Sequence, residues 1–134
     1  MNYLHLFFAI AASSLLASFT DWYFFGVLFH ERYKKTPGIW KQYKDKKDEM
    51  RSIGISQIYM SISSLVFIVA CAFMGWTNLQ MAMSAGLVVW IMCIVPLLFT
   101  NAVFIPMDRL LILSHSLGWL VRFFVTALCV SWFF

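Results

Sequence analysis

Two side chains of this sequence place a charge inside long apolar runs: Asp21 and Arg122. A charge at the centre of a bilayer costs at least about 2.5–3.5 kcal/mol on insertion scales. Each therefore needs a partner, and their opposite signs point to a charge-assisted, bidentate pair. His115, Trp119 and Arg122 stand at i, i+4 and i+7, on one helical stripe that Asp108 begins and Thr126 and Cys129 continue. His115 reads as a hydrogen-bonded core histidine or as a proton relay within two turns of Arg122. Trp22 and Trp119 lie beside the two charges, where their indole N–H groups need acceptors. They could cap the pair or wall a pocket. Further polar groups punctuate the other apolar runs: Ser14 and Ser18 with Asp21, then Ser56, Tyr59 and Ser63, then Thr100 and Asn101. The binding or relay candidates are thus Asp21, Arg122, His115, Asn101, Trp22, Trp119 and Tyr59.

Other chemistries find no support. Phosphate-loop, dinucleotide and nucleophile-elbow motifs are absent, so no catalytic residue is assigned. Cys71, Cys93 and Cys129 are an odd set without a Cys-x-x-Cys pair, which leaves nothing for a zinc site or a disulfide framework. Haem held by two histidines needs both at one depth, facing each other. His5, His30 and His115 fall at different levels of the apolar runs. No cofactor or metal is expected.

The elements that hold these residues follow from composition. The chain has 134 residues, 62% hydrophobic and 12% charged, and its mean hydropathy is +0.80. Soluble domains run about 45–50% apolar and about 25% charged. A core this small cannot hide so much apolar surface from water, so the solvent is lipid. The same figures exclude disorder. A spanning helix needs about 20 apolar residues, and four stretches qualify: 3–29, 53–76, 80–105 and 110–132. The first lacks a basic leader and runs past any small-residue cleavage site, so it reads as a span rather than a signal peptide. Pro96 lies inside the third and predicts a kink, with a freed carbonyl near Met92. The fold class is all-α: a four-helix transmembrane bundle in one membrane domain. Its short links 77–79 and 106–109 make spans two, three and four neighbours in order, with span one closing on span four.

Net charge is +4 and is concentrated. The segment 30–52 holds Arg32, Lys34, Lys35, Lys41, Lys44, Lys46, Lys47 and Arg51 against Glu31, Asp45, Asp48 and Glu49. The positive-inside rule makes this loop cytoplasmic and both termini external. The setting that fits is a bacterial inner membrane. No nucleic-acid motif accompanies the basic loop, so anionic lipid is its expected partner. Thr36-Pro37 resembles a helix start, and Trp40, Tyr43, Lys47 and Met50 recur at helical spacing, predicting a surface helix on the membrane.

At 1.5 Å per residue, Asp21 lies roughly 12 Å and Arg122 roughly 18 Å from the inner boundary. Side chains lean toward a helix's N-terminus. Span one runs inward and span four outward, so the two side chains converge.

Trp22-Tyr23 with the following Phe29, and His115-Ser116-Leu117-Gly118-Trp119-Leu120, carry a resemblance. The chain resembles a bacterial family of small four-span membrane proteins, domain-of-unknown-function family 1761. That family shows a Trp-Tyr pair late in span one, a phenylalanine shortly after it, and a histidine followed by an aromatic in the last span. The resemblance covers nearly the whole chain. Asp21 stands where the pattern has a small or apolar residue, and Phe29 follows Trp22 at one residue more than the pattern. The resemblance implies four spans and adds no activity or cofactor.

Two functions remain open on these grounds. The leading one is a small transporter or channel, oligomeric, with a polar vestibule built from Asp21, Asn101, His115 and Arg122. The other is a non-catalytic accessory or scaffold subunit of a larger membrane complex. They differ in whether the polar residues face the centre of the bundle or its outside.

Overall fold

A computed structural model of the chain describes residues 3–31, 41, 43–105 and 108–134. Four helices are long and apolar enough to cross a membrane: α1 (Tyr3–Leu28), α2 (Lys46–Met74), α3 (Leu79–Phe104) and α4 (Arg109–Phe133). Backbone in lipid has no water to bond, so an apolar run must close its own hydrogen bonds as a helix.

Short polar side chains set the starts. The Asp45 carboxylate accepts from the Asp48 N–H at 2.7 Å, Asn78 Oδ1 from the Met81 N–H at 2.8 Å, and Asp108 Oδ1 from the Leu110 N–H at 2.8 Å. Each satisfies a donor that the first helical turn leaves free. Helix α2 stops at Gly75, whose φ of 71° suits a residue without a Cβ. The Trp76 N–H then reaches the Cys71 carbonyl at 2.8 Å, closing the end.

Two helices widen locally. Helix α1 is regular to Asp21 and π-helical over Trp22–Leu28. Helix α3 is π-helical over Trp90–Ile94, where the Val95 N–H bonds the Trp90 carbonyl, just ahead of Pro96. A proline ring collides with the carbonyl four residues back, here that of Met92. The wide turn falls where that collision would occur.

Helix α4 is the hub. It packs against the other three helices, most broadly against α3 and then α1. The α1–α4 pair is antiparallel: Phe8 stacks near Phe133 and His5 meets Phe134 edge-on, both with ring centroids 6.4 Å apart. Helix α3 meets α4 through Ala82 and Gly86, and α2 lies on α1 and α4. One expectation is corrected here. Helices α2 and α3 share a short link but little contact, so the spans do not pack in chain order. The reason is the surface of α4, where Ser114, Ser116, Gly118, Thr126, Ala127 and Cys129 are all buried. Small residues on several faces admit helices from several sides. The core joins Ala9, Phe67, Ile68, Cys71, Ala82, Phe123, Ala127 and Val130, which come from all four helices.

The anticipated surface helix is not found where the chain is described. Its start at Thr36-Pro37 lies outside the described residues. Lys41, Tyr43, Lys44 and Asp45 are not helical, so Tyr43 is off the stripe, while Lys47 and Met50 belong to α2. Asp45 caps α2 and moves its start ahead of the apolar run. Lys41 Nζ pairs with Asp48 Oδ1 at 2.9 Å and reaches Ser52 Oγ at 3.0 Å. An exposed pair of this kind is screened by water and adds little to stability.

Candidate functional site

The centre of the bundle is built on Arg122, about halfway along α4. Arg122 Nη2 pairs with Asp21 Oδ2, and the two side chains keep 3% and 15% of their surface accessible. Helix geometry makes this contact. Asp21 is the last residue of the regular part of α1, and Arg122 sits on the α4 face that α1 covers. The Trp119 ring lies 5.7 Å from the Arg122 guanidinium carbon, close enough for a cation–π contact. Trp119 continues into an aromatic row, 5.8 Å from Phe123, which is 5.4 Å from Phe67 of α2. One turn further, the Thr126 hydroxyl donates to the Arg122 carbonyl at 2.9 Å. The cation is thus neutralised by one carboxylate and walled by an indole. Removing one partner of such a pair costs far more than the pair's net contribution, because a charge is left stranded.

The other candidates separate. Trp22 is 60% exposed and leans on Phe19, so it does not cap the pair. Tyr59 is 69% exposed on α2, and Asn101 is exposed on α3. His115 is half-buried on α4, roughly 10 Å along the axis from Arg122. The structure therefore brings together Asp21, Arg122 and Trp119, and it leaves Trp22, Tyr59 and Asn101 on the outside.

Three contacts between helices join residues that the sequence alone did not pair, although Trp90 is a deep indole whose N–H needs an acceptor. The Ser18 hydroxyl shares its proton between the Ser14 carbonyl at 2.6 Å and Gln57 Oε1 at 2.7 Å, tying α1 to α2. Gln57 and the buried Ser64 and Cys71 recur every seven residues, so this stripe of α2 turns inward and the Ser56–Tyr59 side does not. A lone amide at the start of an apolar run was the available signal for Gln57. The Trp90 indole N–H donates to the Ser116 carbonyl at 2.7 Å, tying α3 to α4. Gly86 is the third: a Cβ there would sit 3.0 Å from the Phe123 Cβ. The close approach of α3 to α4 requires the missing side chain.

Residues 8–131 match the model of a family described as a protein of unknown function, DUF1761. No curated protein and no solved structure matches the chain.

Proposed function

Since the chain belongs to the DUF1761 family, whose description assigns no role, we propose from its own geometry that it is a non-catalytic accessory subunit of a larger membrane assembly, docking through the outer face of α3. The observation that supports this is where the polar groups go. Asp21 of α1 and Arg122 of α4 neutralise each other inside the bundle. Toward the end of α3, Thr100 and Asn101 stand outside it. The Asn101 side chain makes no hydrogen bond among the described residues. Leu97, Asn101 and Phe104 share one exposed face of α3. An amide on a membrane helix is stabilised by bonding across to another helix. The same reading places loop 30–52 in the cytoplasm and both termini outside a bacterial inner membrane, because eight of the ten Lys and Arg residues lie in that loop.

Photo-crosslinking in native membranes tests the docking. A photoreactive residue at Leu97 or Asn101 gives a discrete protein adduct, whereas one at Leu65 or Val66 of α2 gives lipid adducts alone. Lipid adducts at all four positions overturn the reading. Cysteine labelling at Lys41 from the cytoplasm and at Asn2 and Phe134 from outside checks the threading.

A second reading, a small oligomeric transporter or channel, draws on one observation. Asp21 keeps 15% of its surface and is followed at once by the π-helical stretch Trp22–Leu28, and such turns recur at functional sites. Ion or proton flux in liposomes that Asp21→Asn abolishes would replace the first reading with this one.

A further inference from the structure

An open groove of about 450 Å³ runs between the last turns of α3 and the first turn of α4, lined by Phe99, Ala102, Val103, Arg109 and Ile112. Its volume falls within the range of small-molecule sites, about 300–1,000 Å³. Four of its five lining side chains are apolar, and the fifth is a cation. The Arg109 side chain has no salt bridge or hydrogen bond among the described residues. Its neighbour Asp108 caps α4 through the Leu110 N–H and forms no salt bridge with it among the described residues, so the guanidinium can receive an outside anion. The arrangement is ordered along the bundle axis. Arg109 is the first residue of α4 and marks the polar rim, while Phe99 lies roughly 7 Å further along α3 toward its middle.

This end of the bundle has a defined charge. Helices α2 and α3 cross and return, so the link before Arg109 emerges on the same side as loop 30–52. Eight of the ten Lys and Arg residues belong in sequence to segment 30–52, and Arg109 adds a ninth cation at this end. A cation at headgroup level above an apolar channel matches a ligand with an anion at one end and a hydrocarbon chain at the other.

We propose that this groove is a binding site for an anionic phospholipid, with the phosphodiester on Arg109 and an acyl chain lying against Phe99, Ala102, Val103 and Ile112. Basic pockets between transmembrane helices on a basic membrane face take lipid headgroups in this way. The site is separate from the docking face of α3. Phe99 and Val103 lie on the opposite side of that helix from Leu97 and Asn101, at 100° per residue. The proposal therefore stands or falls independently of the docking reading.

Native mass spectrometry of the full-length protein in mixed micelles tests it, with phosphatidylglycerol and phosphatidylcholine of identical acyl chains as probes and glycerol phosphate as the headgroup alone. The parent protein retains one phosphatidylglycerol with about a five-fold preference, the effect of roughly one basic residue near the surface. Arg109→Gln drops retention to the phosphatidylcholine level, and Arg109→Lys keeps much of it. Ala102→Phe fills the channel and removes the retained lipid of both kinds. Glycerol phosphate alone does not bind. The proposal is overturned by unchanged retention in Arg109→Gln, or by an equal loss in the loop variant Lys44→Gln/Lys46→Gln, which would mark bulk attraction to the basic face. Binding of glycerol phosphate as tightly as of the lipid also overturns it, since the channel would then add nothing.

Discussion

Helices α3 and α4 are joined by a short link and pack on each other, yet they live in different surroundings. Helix α3 has the highest mean hydropathy of the four spans, 2.3, and none of its apolar window is buried by protein. Helix α4 has a mean hydropathy of 1.6, and 50% of its window is buried. In water the order would be reversed, because the most apolar segment would be driven to the centre. In lipid the surrounding chains are as apolar as leucine, and burial is driven by packing and polar bonding instead. Helix α4 is central because it carries small residues and an arginine that must be shielded. Helix α3 is peripheral because its side chains are already content in hydrocarbon.

This contrast can be broken most severely at Arg122. Asp21→Asn strands the guanidinium and is expected to cost about 3–5 kcal/mol, read as a lowered unfolding midpoint in detergent or bicelles. The double variant Asp21→Asn/Arg122→Gln recovers much of that loss, since no lone charge remains. Equal stability of the parent and the single variant would show that the pair does not hold α1 on α4.

The attachment of α3 is the next lever. Gly86→Ala forces a methyl against the Phe123 Cβ and is expected to cost about 1–3 kcal/mol as overpacking. The matching change on the exposed face, Ser84→Ala, stays within about 0.5 kcal/mol. If the two behave alike, the close α3–α4 approach is not a stabilising contact.

Single hydrogen bonds should weigh less. Trp90→Phe removes the donor to the Ser116 carbonyl and is expected to cost about 0.5–1.5 kcal/mol. Trp22→Phe, on an exposed indole, should leave the unfolding midpoint unchanged. The smallest measurable loss is assigned to Gln57→Leu, which breaks the link to Ser18. Side-chain bonds between membrane helices average about 0.6 kcal/mol, and the double-mutant cycle with Ser18→Ala should return a coupling of that size.

The site was legible only in part, and the pattern of success is physical. Asp21 and Arg122 each stand as the sole charge within an apolar run, so their need for a partner is local information. Tyr59 and Asn101 drew notice because they are polar, but polarity in a lipid-embedded helix does not reveal the direction it faces. The serines of α2 spread over about half of its circumference, too broad an arc to tell which stripe turns inward. Gln57 was overlooked for the same reason, although it faces α1 where Tyr59 faces outward.

Four apolar helices and an irregular turn ahead of Pro96 are legible in the sequence alone, and the caps at Asp45, Asn78 and Asp108 and the stop at Gly75 are local features that sharpen their ends. These are properties of a backbone that must satisfy its own hydrogen bonds in hydrocarbon and of the residues that end such a ladder. Packing in three dimensions makes α4 the hub, parts α2 and α3 despite their short link, and selects which stripe of each helix turns inward. Lipid and protein interior are nearly equivalent solvents for an apolar side chain, so hydropathy does not distinguish them. The choice falls to shape: Gly86 against Phe123, the small residues along α4, and the one place where a carboxylate can reach Arg122.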